Sequence, residues 1–382
     1  MGALSRLLVS EESGRAVKQR FTLDGSPALE ARIGQDMALI CETALSAAGS
    51  TNLDAIILGG GYGRGEGGVL REENEERPYN DYDFFVVTPH AARRKRLALQ
   101  HALAEAGESL YPQVGVHVDF GPPLPRARLS ELPYELMLME LKAGHRVIYG
   151  SPAILDAMPA YDSSAVPLQE GARLLMNRGV GLLLSRQKLR GEEGRLPDDD
   201  TAFVVRNIQK AAMALGDVVL MCEKRYAPSY VERLRRFAEA DLSGYPQADV
   251  LRQRYAESIE FKLRPRHVWP PETTLSGWLE ETIRLYGAIH LEFERHRLGI
   301  QDMTWEAYAA LPTRLGAHTL SERIANLARN MRSKNAAAAH GLRDAFLHPR
   351  DHLFARLPAL LHGERPRRED EDAYLRLWSV YN

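Results

Sequence analysis

The stretch 58–87, LGGGYGRGEGGVLREENEERPYNDYDFFVV, holds the residues best suited to chemistry. Gly59, Gly60 and Gly61 end an apolar run, and Gly63, Gly65, Gly67 and Gly68 follow. Glycine lets the backbone approach a bulky anion and adopt left-handed angles, and its amides can form an anion-binding nest. Arg64 adds a cation for a charge-assisted contact with phosphate. Asp81 and Asp83 come next, two residues apart. On a strand that spacing sends both carboxylates to one face, while Tyr82 turns the other way. Neighbouring like charges repel, and a divalent cation removes the conflict. Asp119 is a third acid, flanked by the apolar Val118 and Phe120 and therefore pointing opposite to them. Three carboxylates beside a glycine phosphate loop suit Mg²⁺ and a nucleoside triphosphate. Magnesium takes oxygen ligands and keeps water and phosphate in its shell. Two such ions hold the attacking and leaving oxygens of an in-line displacement.

These groups need elements to position them. Residues 1–26 read as an irregular lead-in. Ser26-Pro27 reads as a helix start, with proline at the first helical position. Leu29, Ile33, Met37, Ile40 and Ala44 give that helix one apolar face, and it should end near Gly49. Residues 55–58, AIIL, read as a buried strand that stops in the glycines. A charged loop with the acidic run 71–77, a lid or a solvated insertion, leads to a second strand at 83–87. A helix over 91–106, a third strand over 114–120, a helix near 130–142 and a short edge strand ending at Gly150 follow. Beyond Gly150 helical periodicity dominates, as in Leu174, Leu175, Gly179, Leu182 and Leu183. The polar loop 191–200 offers Asp200 as a cap for the next helix. The proline-rich piece 264–271 is a break, residues 272–298 restart a helix, and the tail 362–372 reads as charged and solvated. The expected fold is α+β: a small mixed sheet with flanking helices over 27–150, then an all-helical domain over 151–382.

Bulk properties set the class. The chain has 382 residues, enough for two domains. A formal net charge of -2 gives no global pull towards nucleic acid or anionic membrane. Cys41 and Cys222 lie in apolar, helix-like stretches and show no zinc or disulfide spacing. The N-terminus lacks the apolar run of a signal peptide. It also fails the myristoylation pattern, because Arg6 stands where a hydroxyl residue is needed. No apolar stretch is long enough to span a bilayer. The expectation is a cytoplasmic protein with no membrane partner.

The order strand, Gly-Gly, Tyr62-Gly63-Arg64-Gly65, then Asn80-Asp81-Tyr82-Asp83 with hydrophobics, then an isolated acid at Asp119, resembles the nucleotidyltransferase superfamily typified by DNA polymerase beta. The look is closest to the bacterial enzymes that nucleotidylate antibiotics and to their minimal relatives. The segment 141–150, LKAGHRVIYG, is similar to the one that often closes the catalytic domain there. The resemblance implies that Gly60 and Gly61 hold the triphosphate of an NTP such as ATP. It implies that Asp81 and Asp83 bind metal, and that Asp119 binds metal and helps activate an acceptor hydroxyl. The acceptor class stays open: a small molecule, a protein side chain or a tRNA end. Two departures stand out. Gly61 occupies the place of the family's serine, and the connection from loop to paired acids is longer.

Other readings compete. Residues 63–68 match GxGxxG, but a dinucleotide site needs a helix directly after the glycines, and a charged run follows. No GK[ST] is present, so a Walker loop is excluded. Arg93-Arg94-Lys95-Arg96 could meet RNA phosphates or form a solvated helix face. His348 and His352 lie four apart, with Pro349 disturbing a helix there, and read as surface. Arg206 and Lys210, four apart on an otherwise apolar helix, share a face and could reach the triphosphate from the second domain. Asp217, Arg173, Asn177 and Arg178 raise the same question. A nucleotide-binding regulatory module without turnover, or a toxin-like enzyme that modifies RNA or protein, are the functional alternatives.

Overall fold

The computed structural model describes residues 20–72, 75–191, 196–266, 272–314, 319–332, 344–363 and 367–381. The signal-peptide and myristoylation readings fall outside them. So do parts of the lead-in, of the run 71–77, of the loop 191–200, of the piece 264–271 and of the charged tail. The fold is α+β, a small mixed sheet in the N-terminal part and mostly helices after it. Two compact units are present. The first comprises Met1–Val166, Ala227–Arg233 and Ile259–His267; the second comprises Pro167–Tyr226, Leu234–Ser258 and Val268–Asn382. The sheet-bearing unit therefore runs past Gly150, because Leu155 and Met158 bury themselves with Ile57 and Phe85 in its core.

In the first unit, helix α1 spans Pro27–Ala48. The Ser26 side chain accepts a hydrogen bond from the Leu29 amide, and Gly49, at φ 77°, ends the helix. Strand β1 (Ala55–Leu58) leads into the short helix α2 (Gly60–Arg64). Next come β2 (Val69–Glu72), β3 (Glu75–Pro78), β4 (Tyr82–Thr88), α3 (Arg93–Val114), β5 (Val118–Phe120), β6 (Leu124–Pro125), α4 (Leu136–Ala143) and β7 (Arg146–Gly150). The main sheet has the order β5-β4-β1-β7, with β6 also pairing β4. β1 is antiparallel to β4 and β7, whereas β5 and β6 run parallel to β4.

The apolar run 55–58 is continuous because both faces of β1 are covered. Ile56, Leu58, Tyr82, Phe84 and Val86 pack with α1 and α3 residues on one side, and Ala55, Ile57, Phe85 and Val87 pack with Leu138 and Leu141 of α4 on the other. All four residues of β1 are fully buried.

Several expectations change. The third strand starts at Val118, not at 114, because α3 continues to Val114 and Gly115, at φ 82°, stops it. The expected charged loop contains the antiparallel hairpin β2–β3, in which Arg71 pairs with Glu76 and Arg77 with Glu72. The lead-in is not idle: Phe21 is buried in the core, and Thr22 bridges to Gly67.

The second unit holds α5 (Leu168–Gly191), α6 (Asp198–Cys222), the later part of α7 (Tyr230–Ala238), most of α8 (Ala248–Leu263), α9 (Glu272–Leu298), α10 (Trp305–Ala309), α11 (Leu320–Arg332), α12 (Pro349–His362) and α13 (Arg368–Tyr381). Its centre is the packing of α5, α6 and α9 on one another. Asp200 lies in the first turn of α6 rather than capping it, and pairs with Lys188. Pro349 starts α12 rather than disturbing it, and the His348 ring accepts from the Arg350 amide as its cap. The tail is not simply solvated: Glu371 of α13 is 1% exposed and pairs with Arg186 and Arg190. Among the described residues no helix is long and apolar enough to cross a membrane.

Candidate active site

β4 and β5 run parallel with Tyr82 beside Val118, Asp83 beside Asp119 and Phe84 beside Phe120. Register partners on neighbouring strands project to the same face, so the two carboxylates share one side of the sheet. Both aspartates are exposed, whereas Tyr82, Phe84, Val118 and Phe120 are buried. The alternation read from the sequence is thus the alternation of the strands.

Buried anchors hold this edge. The Tyr82 hydroxyl donates to the Asp36 carboxylate at 3.0 Å. Burial raises the pKa of the Tyr82 phenol far above its ordinary value and also raises that of the Asp36 carboxyl. Tyr62 meets Tyr82 edge to face at 4.9 Å between centroids. The Tyr62 hydroxyl donates to the Gly68 carbonyl at 2.7 Å and accepts from the Tyr79 amide at 3.0 Å. One phenol therefore ties the glycine-rich turn to the segment that enters β4.

The glycine turn sits against the acids. The Gly59 amide donates to the Asp83 carbonyl at 2.8 Å. Gly60 adopts φ 59°, and a Cβ there would lie 2.5 Å from Asp83 Oδ2. Only glycine allows both the left-handed backbone and this approach. The first-turn amides of α2, at Gly60 and Gly61, have no partner within their own helix. Gly61 is held to glycine as well. The Glu66 amide donates to the Gly61 carbonyl at 2.8 Å, closing the turn, and a Cβ on Gly61 would come 2.9 Å from the Glu66 carbonyl.

Asp81 precedes β4 and is exposed. Among the described residues no three His, Cys, Asp or Glu side chains gather closely enough to hold a metal ion. The structure thus aligns Asp83 with Asp119, and Asp81 lies one residue before the strand that carries Asp83. The donor set still fits a hard cation: two exposed carboxylates in register, with Asp83 close against a turn that admits no Cβ at Gly60.

Arg64 has a different task from the expected phosphate contact. Its side chain is 6% exposed and pairs with Glu140 at 3.5 Å and Glu66 at 3.9 Å. It also lies 5.2 Å from the Tyr230 ring centroid. The last turn of α2 faces the interior, so this guanidinium is buried beside the buried Glu66 and the half-buried Glu140. Glu66, which sequence reading passed over, accepts from the Ser229 hydroxyl at 2.6 Å and from the Tyr230 and Val231 amides at 2.9 and 3.3 Å. It caps the start of α7 and fastens the segment Ala227–Arg233 to the first unit. The only signal was an acid inside a glycine run.

Arg206 and Lys210 belong to α6 in the second unit. Arg206 is exposed and Lys210 half-buried, while Val204, Ile208, Ala211 and Leu215 are buried. The expected amphipathic stripe is therefore present. Asp217 is instead a core residue that accepts from the Tyr255 hydroxyl at 2.9 Å. Compared with protein-family models and with curated proteins, the chain matches none.

Proposed function

We propose that the chain is a metal-dependent nucleotidyltransferase that moves a nucleoside monophosphate from an NTP to an acceptor hydroxyl and releases pyrophosphate. The observation that carries this reading is the in-register pair Asp83–Asp119 beside the Gly60–Gly61 turn. Asp83 and Asp119 would hold Mg²⁺, with Asp81 at the entry to the strand. When bound, that cation neutralises phosphate charge and steadies the reacting oxygens.

The chain's own groups supply the rest. The Gly60 and Gly61 amides would offer hydrogen-bond donors to a triphosphate oxygen beside the Asp83 carboxylate. The Asp119 carboxylate orients the acceptor hydroxyl and draws on its proton as it attacks the α-phosphorus. The bond from the α-phosphorus to the bridging oxygen breaks, and pyrophosphate departs with the electron pair. Arg64 contributes indirectly, through the buried pairs that fix the end of α2.

A second reading is a nucleotide-binding regulatory module without turnover. Incubation with each of four labelled NTPs and Mg²⁺, with mass analysis of products, separates the two. Transfer of a monophosphate supports the enzyme. Metal-dependent binding without transfer to protein, tRNA or small-molecule acceptors supports the module.

A further inference from the structure

The second unit contains a cavity of about 630 Å³ with three guanidiniums, from Arg186, Arg190 and Arg284, and one carboxylate, Glu280, on its lining. That volume is in the range of small-molecule sites. Ile283, Ala288, Leu291 and Leu361 supply apolar wall, and Trp305 and His362 supply flat rings. The two rings are close to parallel, 15° apart with centroids at 6.0 Å, and the Tyr286 ring stacks behind His362 at 24°. Gly287 makes this wall possible, since a Cβ there would lie 2.4 Å from His362 Cε1.

The polar groups divide into structural and available ones. Arg186 donates to the Leu361 carbonyl at 3.0 Å and to the Leu360 carbonyl, closing the end of α12. Arg186 and Arg190 share Glu371 at 3.5 and 3.2 Å. Arg284 is exposed and makes no ion pair among the described residues. Arg186 Nε and His362 Nε2 are buried with no hydrogen-bond partner among them. Buried polar atoms are rarely left without a partner. Burial, with Arg186 nearby, holds the His362 pKa down at about 4, so the ring is a neutral hydrogen-bonding group at pH 7.

We infer that this cavity binds a small organic anion, with its phosphate or carboxylate end at Arg190 and Arg284 and a flat ring against Trp305. The guanidinium fork matches both oxyanions, and the indole gives the ring a face. The site lies wholly within the helical unit and does not depend on the transferase reading.

The test uses the full chain without metal and three probes: 1-naphthyl phosphate, 1-naphthoate and uncharged 1-naphthol. Binding is followed by calorimetry and by quenching of tryptophan fluorescence. Saturable binding of an anionic probe is expected, with 1-naphthol at least about tenfold weaker. Arg284→Ala, at an exposed helical position, should weaken the anion about tenfold, and Arg190→Ala with Arg284→Ala should abolish saturable binding. Arg284→Lys should recover part of it. Asp83→Asn with Asp119→Asn should leave the affinity unchanged, which separates this cavity from the first unit's site. The better-held anion identifies phosphate or carboxylate as the natural end group. No saturable binding, equal binding of 1-naphthol, or unchanged affinity in Arg284→Ala overturns the proposal.

Discussion

Gly60 and Asp83 compete for one place: a single added carbon on Gly60 would sit 2.5 Å from Asp83 Oδ2. The contact joins the loop that would hold phosphate to the acid that would hold metal. Gly60→Ala should therefore act in two ways. Its left-handed backbone costs about 1–2 kcal/mol of stability, and the methyl group pushes the Asp83 carboxylate aside. Thermal melts and transfer rates measured together check this, with activity falling at least about tenfold at temperatures where the variant remains folded. Retained activity in a folded Gly60→Ala would show that the approach is incidental.

Glu66 offers a purely structural prediction. It accepts three hydrogen bonds at the start of α7. Glu66→Ala should cost about 1–2 kcal/mol through the lost cap and should speed hydrogen exchange at the Tyr230 and Val231 amides. Glu66→Gln keeps an acceptor oxygen and should lose less. Equal protection of those amides in wild type and Glu66→Ala would argue against the cap.

Whether Arg206 and Lys210 take part in transfer is testable by kinetics. If Arg206 and Lys210 meet triphosphate charge, Lys210→Ala should raise the nucleotide KM and leave folding intact. Lys95→Ala, on the exposed first turn of α3, is the surface control. Matching KM values in the two variants would confine the catalytic groups to the first unit.

Acidification should destabilise the helical unit. Burial lowers the pKa of His290 to about 3 and that of His362 to about 4, from an ordinary value of 6.5. Both rings are thus kept neutral in the fold but protonate readily once unfolded. Their contribution is complete above pH 6.5 and is lost as pH falls through the folded values. The limiting slope is about 1.4 kcal/mol per pH unit for each histidine. Denaturant titrations between pH 7 and 4 on wild type and His362→Gln check this, and the variant should show the shallower dependence.

What the sequence disclosed is what local chemistry decides. Ser26, Pro27 and Gly49 mark the ends of α1 because caps act within one turn. The apolar run 55–58 announces a strand covered on both faces, and the alternation around Asp83 and Asp119 gives their common direction. The rest depends on partners distant in sequence. Arg64 beside glycines looks like a phosphate contact until Glu140 of α4 takes it inward. Glu371 sits in a charged tail, yet Arg186 and Arg190 of α5 bury it. The β2–β3 hairpin was hidden because its charges are satisfied across the strands, so no apolar alternation marks it. Gly115 displaced the start of the third strand because the helix before it runs on until a left-handed residue stops it.

Metal-dependent nucleotidyl transfer at Asp83 and Asp119 is tested by pyrophosphate release from NTP, with Mg²⁺ and a pool of candidate acceptors, by wild type, Asp83→Asn and Asp119→Asn. Both substitutions keep size and shape at exposed positions, so circular dichroism should be unchanged. Release by the wild type is expected, with loss of at least about a hundredfold in each variant and dependence on the divalent cation. Undiminished release by folded Asp83→Asn or Asp119→Asn would contradict transfer at these residues.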